Sequence, residues 1–325
     1  DRQGGVCLIS GAAMPYSYIR KQAQAGNMNT KLMAIVVEAK GGRKYISPYI
    51  EYEKLVLRVS RPEINDIDLS GKTRVSMPLY GINTFGDLFT NRQLTSLSTF
   101  NNLLLDLRKK VEKDALVAKL DASYQGLSKN LVTAISYSEA ITVYISFALS
   151  RLANRSSTIC IWNDQREGIE QTYARQAIPM TWNFAESNPF SNSSGNWTGG
   201  GISWVVNCLL NFRSIHNNRN SLTYQDAQSA KIPENAVIST DPPYYDNIAY
   251  SDLSDFFYMW LKSSLKSIYP DFFNLITTPK AEELVATPYR HESKQKAEQF
   301  FITGMTKAIK NMITQSKEDI PATIY

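Results

Sequence analysis

The sequence is short of cysteine, of histidine and of long apolar runs. Its 325 residues hold three cysteines, Cys7, Cys160 and Cys208, and two histidines, His216 and His291. Three thiols so far apart do not frame a disulfide scaffold, and they point to a reducing compartment. The longest apolar stretch, about 140–152, is broken by Thr142, Tyr144, Ser146 and Ser150, which excludes it as a membrane span. Nothing reads as a secretory signal. A soluble, cytoplasmic protein with no membrane partner is expected. Charge of neither sign dominates. The net is +5 with 20% charged residues, which is compatible with a nucleic-acid partner without demanding one. With 43% hydrophobic residues the chain has material for a core, unlike a disordered tail. The first residue is Asp1, and 321–325 (PATIY) reads as the opening of a strand, so a fragment of a longer protein is expected.

Local patterns divide the chain. The β-rich runs 31–39 (KLMAIVVEA) and 43–47 (RKYIS) flank Lys40-Gly41-Gly42, a hairpin signal. Residues 51–92 are rich in Pro, Gly, Asn and Asp and predict extended loops. A helical pattern runs from about 93 to 120, with Leu103, Leu104, Leu107 and Val111 on one stripe. A second, about 128–154, is dense in apolar residues and is expected to be largely buried. A third covers 201–211 (GISWVVNCLLN). Cys160 and Cys208 sit in apolar surroundings and read as core thiols. The run 235–240 (NAVIST) reads as a short buried parallel strand, helices follow at 252–267 and 298–315, and 320–325 begins another strand. This order predicts α/β with a parallel sheet. The polar, glycine-rich stretch 188–201 is long for a loop in a compact domain.

Where the 235–240 strand ends stands Asp241-Pro242-Pro243-Tyr244. In open α/β sheets, ligands bind beyond the carboxyl ends of strands. The tetrapeptide suits methylation of an exocyclic amine. The N6 amine of adenine is a poor nucleophile because its lone pair is delocalised into the ring. Acceptors for its hydrogens let the nitrogen rehybridise as it attacks. The Asp241 carboxylate is one acceptor, and a backbone carbonyl held by proline is a second. Pro242 and Pro243 fix φ and remove N–H groups. Tyr244 offers a flat face for a base that has been flipped from the duplex. A plain proline turn with Asp241 as its cap is the competing reading. The cluster that follows, Tyr245, Asp246, Asn247 and Tyr250, favours the functional one.

The run V-I-S-T-D-P-P-Y-Y-D-N at 237–247, with Y-S-D-L-S-D-F-F-Y at 250–258, resembles a group of large prokaryotic adenine-specific DNA methylases. These carry an N-terminal domain of unknown function and a zinc-ribbon-like insertion. The likeness extends to A-R-Q-A-I-P-M at 174–180, N-P-F-S-N-S-S-G-N-W at 188–197 and A-E-E-L-V-A-T-P-Y-R-H at 281–291. It implies a partial Rossmann-like class I methyltransferase sheet with a helical and β-hairpin insertion, S-adenosylmethionine as donor, and adenine in DNA as target. It gives Asp241, Pro242, Pro243 and Tyr244 the catalytic-loop roles. Tyr245, Asn247 and Trp197 are substrate-side candidates. Tyr224-Gln225-Asp226-Ala227 resembles the acidic position that contacts the donor's adenine in this fold, which makes Asp226 a cofactor candidate beside its plain reading as a surface turn. Two regions are expected: 1–92, β-rich, degenerate zinc-ribbon-like and a candidate DNA contact; and 93–325, the methyltransferase region.

Two features depart from the pattern. The glycine-rich F-x-G-x-G turn for the donor is not found: Phe85-Gly86-Asp87-Leu88-Phe89 lacks the second glycine, and Gly199-Gly200-Gly201 follows a polar loop. It is expected to lie upstream of Asp1. The family's C-x-x-C-G is here Cys7-Leu8-Ile9-Ser10-Gly11, ahead of Pro15-Tyr16-Ser17-Tyr18-Ile19-Arg20, so one thiolate is replaced by Ser10. With His216 and His291 distant, no zinc is expected. These departures keep a second reading open, an inactive or DNA-binding fragment of such a methylase. A third is methylation of RNA or of a protein amide, because such loops serve several planar amines.

Three further groups carry two readings each. Arg20, Lys21, Lys31, Lys40, Arg43 and Lys44, with Tyr16, Tyr18 and Tyr45, suit DNA phosphates and bases or a solvated face. Trp182, Phe184, Trp197 and Trp204 line a target pocket or pack a core. Arg290-His291 suits a phosphate or plain surface.

Overall fold

In the computed structural model the protein is described at residues 4–325 except 57, 124, 125, 127–131, 176, 213–221 and 234. The expected start of the second helix and His216 lie outside the described residues. Helices are mixed with two-stranded sheets, three antiparallel and one parallel among the described residues. The chain divides into two compact units. The first is Asp1–Phe212 with Asp255–Thr277, and the second is Arg213–Ser254 with Thr278–Tyr325. Residues on both sides of the expected boundary at 92/93 therefore belong to the first unit. No helix among the described residues is long and apolar enough to cross a membrane.

The first unit opens with β1 (Gly4–Val6) and β2 (Ala13–Pro15), which pair antiparallel. The turn between them is tied by the Gly11 N–H to the Cys7 carbonyl. A hydrogen bond from Ser10 holds the Cys7 thiol below its ordinary pKa. Pro15 then starts α1 (Tyr16–Gln24). The hairpin forms as expected, with β3 (Ile35–Ala39) against β4 (Gly42–Ile46). Gly41 and Gly42 take φ of 92° and 123°, a region that disfavours side chains.

Residues 51–92 are more than loops. They hold α2 (Ile50–Val56) and 3-10 turns at Gly71–Thr73, Met77–Tyr80 and Gly86–Leu88. They also supply Ile67, Met77, Phe85 and Leu88 to the core. No helical or strand period marks these apolar residues, which stand between turn-formers.

A capping box opens α3 (Asn91–Val117): Gln93 N–H donates to Thr90 Oγ1, and Thr90 N–H donates to Gln93 Oε1. Its buried stripe is Leu94, Leu97, Asn101 and Leu104, while Leu103 faces out. The helix packs on α4 (Ala134–Ala153). This second helix is only half buried, and by an unexpected face. Ser138, Thr142 and Ser146 are fully covered, whereas Tyr137, Tyr144 and Phe147 are exposed. Small side chains permit close approach. Their hydroxyls donate one turn back, Thr142 Oγ1 to the Ser138 carbonyl and Ser146 Oγ to the Thr142 carbonyl, each at 2.8 Å, so no polar atom is stranded.

Then come β5 (Trp162–Asn163) and β6 (Gly168–Ile169). A π-helical turn at Trp197–Ser203 leads into α5 (Trp204–Asn211). Cys160 is buried, as expected of a core thiol. Cys208 is not: α5 buries none of its residues, so its apolar composition does not mark a core helix here.

The second unit holds β7 (Ser239–Thr240) and the first turn of α6 (Tyr250–Leu265), whose later residues and α7 (Pro270–Phe273) belong to the first unit. It also holds α8 (Lys294–Gln315) and β8 (Thr323–Ile324). Ser293 caps α8 by accepting from the Lys296 N–H at 3.1 Å.

Aromatic rings centre the first unit. Phe256 is fully buried, stacked on Phe89 at 5.4 Å and edge-on to Tyr173 at 5.3 Å. Phe256→Ala is expected to cost about 3–5 kcal/mol in denaturant unfolding. Tyr144→Ala, on the exposed face of α4, is expected to cost under about 1 kcal/mol. Equal costs would mean that the core does not centre on Phe256.

Candidate active site

Of the strand expected at 235–240 only the end, β7 (Ser239–Thr240), is present, and its pairing is parallel. Ser239 and Thr240 pair with Thr323 and Ile324, and Ala236 bridges to Ser316. The Thr323 N–H donates to the Ile238 carbonyl and the Tyr325 N–H to the Thr240 carbonyl, each at 3.0 Å. The strand is not buried: Val237 is 61% exposed and Ile324 57%.

The chain leaves β7 directly into Asp241-Pro242-Pro243-Tyr244, and the loop's own bonds decide what it offers. The Pro243 carbonyl accepts from the Tyr245 N–H at 3.1 Å, and the Tyr244 carbonyl accepts from the Asn247 N–H at 3.0 Å. The Tyr245 carbonyl accepts from the Ala286 N–H at 3.0 Å. Pro242 is thus the loop proline whose carbonyl takes no backbone bond among the described residues. The Asp241 carboxylate accepts from the Tyr244 hydroxyl, and that bond raises the tyrosine's pKa. Both side chains are exposed, Tyr244 at 51%.

Tyr245 has the left-handed φ of 52°. A bulky residue holds that conformation only when its surroundings impose it. Here the Ala286 N–H binds its carbonyl, its hydroxyl donates to Glu298 Oε1 at 2.8 Å, and its ring stands edge-on to Phe301 at 5.2 Å.

Past the loop, the first turn of α6 meets the 278–290 segment in a partly buried polar network, with Ser251 and Asp252 covered and Tyr289 half exposed. Ser251 donates to Glu283 through its N–H, at 3.1 Å, and its hydroxyl. Arg290 donates through Nη1 to Glu283 Oε2 at 2.6 Å, and through Nη2 to Asp252 Oδ1 at 2.8 Å and Ser251 Oγ at 3.0 Å. Tyr289 donates its hydroxyl to Asp252 Oδ2 at 2.6 Å. Burial lowers the Arg290 pKa, but its bonds to Glu283 and Asp252 outweigh this and the net shift is upward. Burial first, then the bond to Asp252, pushes the Tyr289 hydroxyl up. Arg290 therefore serves carboxylates and not a phosphate, and His291 stacks on Phe300 at 4.3 Å.

The remaining candidates separate. Asp226 is exposed and closes a turn, accepting from the Gln228 N–H at 2.9 Å. Trp197 lies in the first unit, stacked on Phe100 at 4.6 Å. Trp182 stands edge-on to Tyr80, and Trp204 lies under the Arg151 guanidinium, so these tryptophans have packing partners of their own. In the basic cluster, Lys31 pairs with Glu53, Arg20 lies over Tyr16 and Tyr80, and Arg43 over Trp162. Sequence reading missed Asp252, Glu283 and Glu298. Their signal was weak: isolated acids whose partners come from distant positions.

No protein-family model, no curated protein and no solved structure matches the chain.

Tyr289 yields a pH test. Its folded pKa lies above the unfolded value of about 10. Its contribution is complete below that pH and is lost as pH rises above it, since the unfolded chain ionises first. Tyr289→Phe is expected to flatten the fall in unfolding free energy above about pH 10 relative to the parent. Equal slopes would show that this hydroxyl is not held as described.

Proposed function

We propose that this chain provides the acceptor side of a DNA adenine N6-methyltransferase. The observation that carries the reading is the loop itself. It leaves a parallel strand, it has an exposed Asp241 carboxylate followed by a Pro242 carbonyl that takes no backbone bond among the described residues, and it keeps the Tyr244 ring exposed. An exocyclic amine has two hydrogens to be held, and these two oxygens suit them. The parallel pairing of β7 and β8 supports a Rossmann-like class I methyltransferase sheet as the setting, in a soluble cytoplasmic protein. Tyr245 and Asn247 shape the loop from its far side.

S-adenosylmethionine is the donor that the sequence resemblance implies, and it would supply an electrophilic methyl group. The residues present fit it poorly. No strand followed by F-x-G-x-G is found in the sequence, and the Asp226 carboxylate closes its own turn. This misfit also favours a second reading, a DNA-binding relative without catalysis.

The test is methyl transfer from labelled S-adenosylmethionine to DNA by the natural full-length protein. Asp241→Ala is expected to lower kcat about a hundred- to a thousandfold, the range seen when one preorganised polar group is removed. The unfolding midpoint should not change, because Asp241 is exposed. Asp241→Asn keeps one acceptor oxygen and should fall between parent and alanine. Full activity in Asp241→Ala would remove Asp241 from the reaction.

A further inference from the structure

We propose that Arg290 is a positioning residue that locks the 278–290 segment to the start of α6 and so fixes where the 241–249 loop presents Asp241, Pro242 and Tyr244. Its catalytic consequence rests on the acceptor-loop reading above. The lock itself rests on geometry alone.

The loop is anchored at two places. At its middle, the Tyr245 carbonyl is held by the Ala286 N–H. Just past its end, Ser251 and Asp252 are held by Glu283, Tyr289 and Arg290. Both anchors are borne by one short segment, so moving that segment moves the middle of the loop and the residues just past its end together. Arg290 closes the circuit. Its guanidinium reaches Glu283 and the Lys280 carbonyl through Nη1, and Asp252 and Ser251 through Nη2. The Arg290 side chain is 11% exposed and that of Asp252 1%.

Two carboxylates sharing one buried cation are a costly way to gain stability, and apolar side chains of similar size would do as well. What the planar fork adds is direction. Its N–H groups address acceptors on two segments at fixed angles, which the point charge of lysine does not. The segment is also confined from the other side. Gly304 of α8 lacks a side chain where a Cβ would collide with Leu284. Val285, Ala286 and Thr287 between these contacts are buried. Tyr245 then holds its left-handed backbone because Ala286 is held.

The experiment compares parent, Arg290→Ala and Arg290→Lys in the natural full-length protein by amide hydrogen exchange and by steady-state methyl transfer to DNA. In Arg290→Ala the amides of Ala286 and Asn247 are expected to exchange at least about tenfold faster, while α3 amides keep the parent's rates. The kcat is expected to fall about a hundredfold, as for a misplacement of about an ångström, with the KM for DNA nearly unchanged. Arg290→Lys is expected to restore neither quantity, and added guanidinium ion should partly restore both in Arg290→Ala. Should Arg290→Ala not fold, Glu283→Gln removes one charge at constant shape and is expected to shift exchange in the same direction. Unchanged exchange at Ala286 and Asn247 in a folded variant overturns the lock. A loss confined to KM, or full rescue by lysine, overturns the positioning role. A parent that methylates no DNA overturns the acceptor-loop reading instead, and exchange still decides the lock.

Discussion

Tyr245 stands in a backbone conformation that costs a bulky residue on the order of 1–3 kcal/mol, and three separate contacts hold it there. The shape of the candidate site depends on that constraint. Tyr245, one residue past Pro243-Tyr244, takes this left-handed turn immediately after Asp241-Pro242-Pro243-Tyr244. It also sets which carbonyls are spent. Those of Pro243, Tyr244 and Tyr245 go to N–H groups of the loop and of Ala286. The Pro242 carbonyl takes no backbone bond among the described residues, and the exposed Asp241 carboxylate accepts from the Tyr244 hydroxyl.

The two units are held by different physics. The first surrounds Phe256 with rings, and the buried Ser138, Thr142 and Ser146 of α4 are accommodated because their hydroxyls are satisfied, Thr142 and Ser146 on their own helix. Volume and shape dominate there. The second unit has a parallel pair of two-residue strands and owes the placement of its loop to charged hydrogen bonds around Asp252, Glu283 and Arg290. Such bonds are directional. They specify one arrangement where an apolar contact would allow several, which suits a segment that has to present polar atoms accurately.

How much of this was legible in the sequence follows from the range of the signals. Paired glycines mark the β3–β4 hairpin locally, and the helical period from about 93 marks α3, so those elements read correctly. The run into Asp241-Pro242-Pro243 announces a strand, and its partner at 323–324 is parallel as read. Burial was less legible. The apolar density of α4 hides that Ser138, Thr142 and Ser146 are covered along with Leu149 and Leu152 while Tyr137, Tyr144 and Phe147 are exposed, and α5 with Cys208 stays exposed despite its composition. The core residues of 51–92 carry no period at all. The network around Arg290 could not be read because its acids, Asp252 and Glu283, lie on separate segments and resemble ordinary surface charges. The two units were equally hidden, since the chain leaves the first at Phe212 and returns at Asp255.

The functional account therefore stands on a loop that offers two acceptors and a ring, backed by a constrained tyrosine and a directional lock. Its central claim is that the group received there is the exocyclic amine of adenine in DNA. The most direct measurement is nucleoside mass spectrometry of DNA, RNA and protein incubated with the natural full-length protein and a methyl-deuterated donor. The account predicts label in N6-methyladenine from DNA. Label in cytosine, in RNA or in protein, or in none of them, would contradict it.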